Sequence, residues 1–426
     1  MIRSLLKRKI TGDLVFLYAA FFAGFVVPVL TIPYLTRVLG KPAWSQLVFV
    51  QGFCALAGVP LAWGFGYHGT RLVAKFRDDR EKVGTICAEI LSARLLLLAP
   101  VILLAIGVIA MIPKLQADIP LAIFGVTATV LNAFSVGWIL QGLDRMRWAS
   151  ILDLTVKLLA TLPIFLIVKS PAHAHRVVLL QAASVLLSLG IGYAMLRRWI
   201  PIRAGFARKP SAVFGDSAGM FLFTLSGTIV NQTNAFFFGL FAPLPVVGIY
   251  AGAEKIIRAA CALVGPFSTA LHTKINYRAS KDPAAAARFF VLGTALLFCL
   301  AVALSLLIWF SSDFLVAHLL GPEFRESAKV LRMIAILPVF NWLSYSLNLN
   351  WFIVRHMDRS LNLCVLFAAA ATFVSTCVLV PLYSLNGMAF SVISSEAALL
   401  LALLFTLVRK RQNPLRIAFA RNDSAS

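Results

Sequence analysis

Long apolar runs, broken by short clusters of charged or turn-forming residues, recur from one end of the chain to the other. Two of them, Leu14–Leu35 and Val330–Val354, each reach the roughly 20 residues that a helix needs to cross the hydrocarbon of a bilayer. Set against their breaks, the runs predict helices over 14–35, 44–66, 90–112, 119–141, 150–168, 177–196, 218–240, 244–270, 289–310, 330–354, 361–383 and 385–408. They are continuous, without the period-two alternation of a barrel strand. Helices and closed barrels are the only structures that satisfy every backbone polar group in lipid, so the pattern selects the helix. The expected fold is an all-α membrane protein of about 12 transmembrane helices in two six-helix lobes around a central cavity.

Charge fixes the orientation. With a cytoplasmic amino terminus, basic residues fill alternate loops: Arg3, Lys7, Arg8 and Lys9, then Arg71 to Lys82, Arg145 and Arg147, Arg197 to Lys209, Lys274 to Arg288, Arg355 and Arg359, and Arg409 to Arg421. The opposite loops hold only Arg37, Lys41, Lys114, Lys169, Arg176, Arg325 and Lys329. Cytoplasmic loops carry the Lys and Arg excess, so both termini are expected inside a bacterial inner membrane. One helix too many or too few would invert every later loop and destroy the bias. The basic start is no cleaved signal, because the run at 14–35 exceeds the 7–15 residues or so of a signal core.

Composition agrees. Hydrophobic residues make up 60% of the 426 and charged residues 13%, about half the usual share for a soluble domain, and mean hydropathy is +0.88. The net charge of +22 is dispersed in loop clusters and not gathered on one face, which points to anionic headgroups and excludes a nucleic-acid partner. The six cysteines show no metal-ligand spacing and read as small core residues. No phosphate-cradling glycine loop appears, so neither ATP nor another cofactor is expected.

The chain divides into an N-terminal lobe over 1–200, a basic cytoplasmic linker over 201–217, a C-terminal lobe over 218–410 and a cytoplasmic tail over 411–426. Ala55-Leu56-Ala57-Gly58 in the second predicted helix is echoed by Ala262-Leu263-Val264-Gly265 in the eighth, as in transporters built from parallel repeats.

Charges inside spans are costly and normally face a cavity or a partner. Glu254, Lys255 and Arg258 lie 10–14 residues into the eighth helix, near the midplane at about 1.5 Å per residue. Glu254 and Arg258 are spaced to pair on one face, which leaves Lys255 over. Asp153 and Lys157 form a second such pair. Glu396 has no cation within one turn: either it stays unpaired and titrates, as suits ion coupling, or it meets a cation on another helix. Arg94 and Arg332 are placed near helix ends as headgroup anchors. Arg37 is an anchor or a ligand contact. Asn231, Gln232 and Asn234, with Asn348 and Asn350, either bond sugar hydroxyls or tie helices together. No catalytic set and no metal site is expected.

Three segments carry a resemblance: Pro33-Tyr34-Leu35-Thr36-Arg37-Val38-Leu39-Gly40, Gly137-Trp138-Ile139-Leu140-Gln141-Gly142-Leu143-Asp144-Arg145 and Val247-Gly248-Ile249-Tyr250-Ala251-Gly252-Ala253-Glu254-Lys255. In order and spacing they resemble the polysaccharide transporter family, the Wzx-like O-antigen and exopolysaccharide flippases, of the multidrug/oligosaccharidyl-lipid/polysaccharide flippase superfamily. The resemblance implies a flippase, not an enzyme, that moves undecaprenyl-diphosphate-linked oligosaccharide across the inner membrane by alternating access. It implies polyprenyl-diphosphate-linked glycan and membrane lipids as partners, with the polysaccharide polymerase and chain-length machinery beside them. In such a flippase the residues read above from their position, Arg37, Glu254, Lys255, Arg258, Asn231 and Asn234, are the expected substrate contacts, with Glu396 for ion coupling. Asn231-Gln232-Thr233-Asn234 stands where many relatives place an aspartate. The alternatives are a cation-coupled multidrug exporter of the same superfamily and a polytopic enzyme of polysaccharide assembly. Short outer loops count against the enzyme.

Overall fold

The computed structural model describes residues 2–201, 210–279 and 282–419, with the side chains of 2–26, 28, 210–212, 270, 273, 283 and 419 left aside. Part of the expected linker, 202–209, and the end of the tail, 420–426, lie outside the described residues. Among the described residues, helices and helical turns are the only regular structure.

Read across their breaks, the helices follow the predicted spans. We number them α1 (2–39), α2 (41–62, continued by Phe65–Lys75), α3 (Arg80–Met111), α4 (Ile119–Ala133, continued by Gly137–Gly142) and α5 (Met146–Thr161, continued by Ile164–Ile167). Then follow α6 (Ala174–Leu196), α7 (Pro210–Asn231, continued by Asn234–Phe241), α8 (Leu244–Ala262, continued by Val264–Ala279) and α9 (Pro283–Leu319). The last are α10 (Ser327–Ile334, Leu337–Leu347 and a wide turn Asn348–Phe352), α11 (358–383) and α12 (385–409). Among the described residues, eight stretches are long and apolar enough to span a membrane, or nine if the two parts of α10, bent by 41°, count as one. Two of the eight, Val29–Lys75 and Asp358–Arg409, run through the breaks at Gly40 and Ser384. Helix α8 is not among them. Its first part carries Glu254, Lys255 and Arg258 within nineteen residues, and that charge interrupts its apolar run.

The breaks are places where the ladder of backbone bonds is interrupted, and side chains repair it, as they must in lipid. Gly40 (φ 66°) ends α1 in the left-handed region that glycine enters without steric cost. At the interruption of α4, Tyr193 donates to the Phe134 carbonyl at 3.2 Å and Thr70 to that of Trp138 at 3.1 Å. In α7, Thr233 donates to Ile229 at 3.0 Å and Asn234 to Val230 at 3.3 Å. The turn between α11 and α12 is so close that a Cβ on Gly387 would collide with the Leu379 carbonyl, and no other residue fits there without moving backbone.

Two compact units form, Met1–Gly239 and Leu240–Ser426. Composition marks a linker at 201–217, whereas packing carries α7 with the first unit: Trp63 stacks on Phe221 at 4.2 Å and Phe236 lies 5.3 Å from Phe49. A core in this unit gathers Phe65, Val83, Cys87, Ile90, Ala93, Val136, Trp138 and Leu152. In the second unit Val264, Leu297, Ala301, Val339 and Trp342 pack together, and Trp342 donates to the Cys261 carbonyl at 3.1 Å. Outward residues such as Leu103 and Leu104 on α3, Phe310 on α9 and Phe405 on α12 are exposed, as on a surface that lipid covers.

Candidate functional site: a buried charge cluster

Tyr250, Glu254 and Arg258 recur every fourth residue and so share one face of α8. Small residues let this helix pack tightly: Gly248, Ala251, Gly252 and Ala253 are all buried. A Cβ on Gly252 would come within 2.8 Å of Leu320, and Ser327 of α10 donates to the Ile249 carbonyl at 2.7 Å. The side chains behind the charges are thereby fixed.

Arg258 sits between two carboxylates. Its Nε lies 3.5 Å from Glu254 Oε1, the spacing foreseen along the helix. Its Nη1 donates to Glu396 Oε1 at 3.0 Å, across 138 residues of chain. Glu396 is therefore not left unpaired, and the cation on another helix is the alternative that the structure selects. Its side chain is only 2% exposed. Lys255, about 100° round the helix from Glu254, is exposed and makes no hydrogen bond or ion pair among the described residues. With both acids ionised, two carboxylates against one guanidinium leave the cluster one negative charge in excess, and the Lys255 ammonium next to it restores the balance.

Beside Glu396, a ladder of hydroxyls ties α12 to α11, and no single position in the sequence reveals it. Ser391 on α12 bonds Thr376 at 2.7 Å and Ser375 at 2.8 Å on α11, and Ser395, next to Glu396, bonds Thr372. The signal is visible in retrospect. Thr372 and Thr376, like Ser391 and Ser395, are four residues apart, and two such pairs on adjoining helices can face each other.

In the first unit, Arg94 corrects the sequence-based expectation. Placed near a helix end as an anchor, it is instead 4% exposed. Helix α3 begins at Arg80, capped by Asp79, so Arg94 stands about 21 Å along it, where its side chain is enclosed by protein. Its guanidinium lies 5.9 Å from the Phe65 ring and 5.8 Å from that of Trp138, and neither Nε nor Nη1 has a hydrogen-bond partner among the described residues. Asp79 is a good cap and was the missed signal, since it moves the helix start from 90 to 80.

The other candidates lie apart from this cluster. Arg37 is exposed just before the Gly40 break. Asn231 is exposed and donates to the Gly227 carbonyl at 2.9 Å, while Asn234 is buried with its amide on Val230. Asp153 and Lys157 pair at 2.6 Å, and Arg332 pairs with Asp313 at an exposed edge.

Known proteins agree with this fold. The family described as "Polysaccharide biosynthesis protein" matches residues 11–272, more than half of the chain. A "Putative O-antigen transporter" of Escherichia coli (strain K12) is 20% identical over 409 residues, covering 95% of this chain and 98% of its own. Its namesake in Shigella dysenteriae is 23% identical over 397 residues, covering 92% and 98%. Among solved structures, the lipid II flippase MurJ in an inward closed conformation superposes with a TM-score of 0.71 at 12% identity, covering 95% of this chain and 90% of that one. An outward-facing multidrug resistance MATE family transporter of the MOP superfamily gives 0.62 at 14% identity, covering 93% and 95%. At such identities the two structures show a shared fold.

Proposed function

This chain belongs to the polysaccharide biosynthesis protein family, and from that premise we propose that it flips undecaprenyl-diphosphate-linked oligosaccharide across the bacterial inner membrane by alternating access. The observation that carries the proposal is the pair of cations, Lys255 and Arg258, about 16–21 Å along α8, which would set them near the middle of a hydrocarbon layer about 30 Å thick if this helix crosses the membrane. A diphosphate cannot enter lipid without groups that replace its water, and guanidinium and ammonium do so with charge-assisted hydrogen bonds. The named O-antigen transporters and the lipid II flippase handle cargo of a related kind, which supports the assignment. Arg258 would release one carboxylate as it meets the diphosphate. Glu396, freed in that step, becomes the group able to take a proton, which gives it the coupling role. Arg37 and Asn231, both exposed, would contact the glycan, Asn234 would do so only by leaving its buried place on the Val230 carbonyl, and the product would pass to polymerase and chain-length machinery outside.

The test is transfer in proteoliposomes. Fluorescent undecaprenyl-diphosphate oligosaccharide should become accessible to an externally added hydrolase many times faster than in protein-free vesicles. If the rate equals that of empty vesicles and the same vesicles expel organic cation dyes, the exporter alternative replaces the flippase.

The proposal includes orientation. With six spans on either side of the 201–217 stretch and both termini cytoplasmic, a reporter fused after residue 205 should behave as cytosolic. One inserted between Lys169 and Arg176 should report the outside. The reverse at either position overturns the orientation.

A further inference from the structure

A second basic site, separate from the cargo cluster, lies where α11 starts and α12 ends. An open cavity of about 410 Å³ is lined there by Arg355, Met357, Lys410 and Gln412, with no carboxylate among these four. That volume is in the range of small-molecule sites.

The cavity wall is prearranged. Trp351, almost wholly buried, donates its Nε1–H to the Gln412 carbonyl at 3.0 Å, which ties the chain after α12 to the wide turn of α10. Arg355 lies over the Trp351 ring, 4.7 Å from its centroid, and donates Nη1–H to Gln412 Oε1 at 3.0 Å. The guanidinium is thus held by an aromatic face and an amide oxygen, neither of which neutralises it, and keeps most of its five donors for a ligand. Partial burial pulls its pKa below the usual arginine value, the mark of a desolvated cation that an anion would stabilise. Lys410, exposed at the end of α12, makes no hydrogen bond or ion pair from its ammonium among the described residues.

A planar fork beside a mobile ammonium, in a cavity too large for a bare ion and level with the ends of spanning helices, matches a phosphodiester at the depth of lipid headgroups. We propose that this cavity is a phosphate-binding site whose occupant is the headgroup of an anionic phospholipid. The remainder of the volume takes the headgroup's glycerol, while the acyl chains stay in the surrounding bilayer.

The experiment uses the full chain purified in neutral detergent, with thermal unfolding followed while phosphatidylglycerol, phosphatidylcholine or inorganic phosphate is added. Phosphatidylglycerol is expected to raise the midpoint saturably and phosphatidylcholine to leave it unchanged. Lys410→Glu and Arg355→Gln should each weaken the phosphatidylglycerol effect tenfold or more in apparent Kd. Lys410 braces nothing, so Lys410→Glu keeps the test decisive even if Arg355→Gln disturbs folding by freeing Gln412. Undiminished protection in Lys410→Glu, equal protection by phosphatidylcholine, or no protection of the parent protein overturns the site. Protection by inorganic phosphate at equal concentration overturns the lipid as its source. The measurement is made in micelles without cargo, so it stands apart from the transport assay.

Discussion

Arg258→Gln is expected to abolish glycan export and to destabilise the second unit by about 1–5 kcal/mol. The upper bound is the cost of breaking a buried ion pair and stranding one partner, here Glu396 with its 2% exposed side chain. The lower bound reflects bonds between membrane helices, which measure about 0.6–1.7 kcal/mol because the unfolded chain in lipid also finds partners. Combining Arg258→Gln with Glu396→Gln removes both charges and should recover most of the stability, read as unfolding in detergent and as amount in the membrane. Export should stay absent in the double variant, because amides cannot replace a guanidinium against a diphosphate. Lys255→Ala should lose export strongly at a small cost in stability, since its ammonium makes no hydrogen bond or ion pair among the described residues and only balances the charge of the cluster. Full export by Lys255→Ala and by Glu254→Gln with Arg258→Gln would reduce the cluster to a structural pair.

The opposite sign is expected for Arg94→Met. A desolvated guanidinium without a carboxylate costs several kcal/mol, and its two aromatic contacts near 6 Å return about 0.5–2 kcal/mol apiece. Methionine fills similar space beside Phe65 and Trp138 without that cost, so unfolding in detergent should shift toward greater stability by about 1–4 kcal/mol. Arg94→Lys should lower stability, because a compact, strongly hydrated ammonium is harder to bury than a planar guanidinium. A fall in stability for Arg94→Met would mean that an anion or ordered water completes the guanidinium, and that the charge is held for a partner.

Hydroxyl pairs and the Glu396 contact show why part of the site escaped inspection of the chain. Along one helix, the four-residue spacing is enough to predict that Glu254 and Arg258 meet, and they do. Across helices no such rule operates. In a soluble protein the apolar stripe of a helix tells which face turns inward, but lipid is as apolar as a protein core, so the same residues suit both sides. Phe310, exposed, and Phe290, buried, lie on one helix and cannot be told apart by hydropathy.

What this chain's sequence determined by itself is therefore whatever depends on length and local spacing. That covers an all-helical membrane fold, the succession of its helices, the break between 383 and 385, and the pairing of Glu254 with Arg258 along α8. These follow from the thickness of the bilayer and the rise of a helix, which are the same everywhere along the chain. Tertiary structure alone decided that Glu396 closes on Arg258, that Arg94 is sealed among aromatics, and that Arg355 and Lys410 share one cavity. Each of these depends on how helices are rotated about their axes. Packing of small residues and hydroxyls sets that rotation, and no periodicity in the sequence records it.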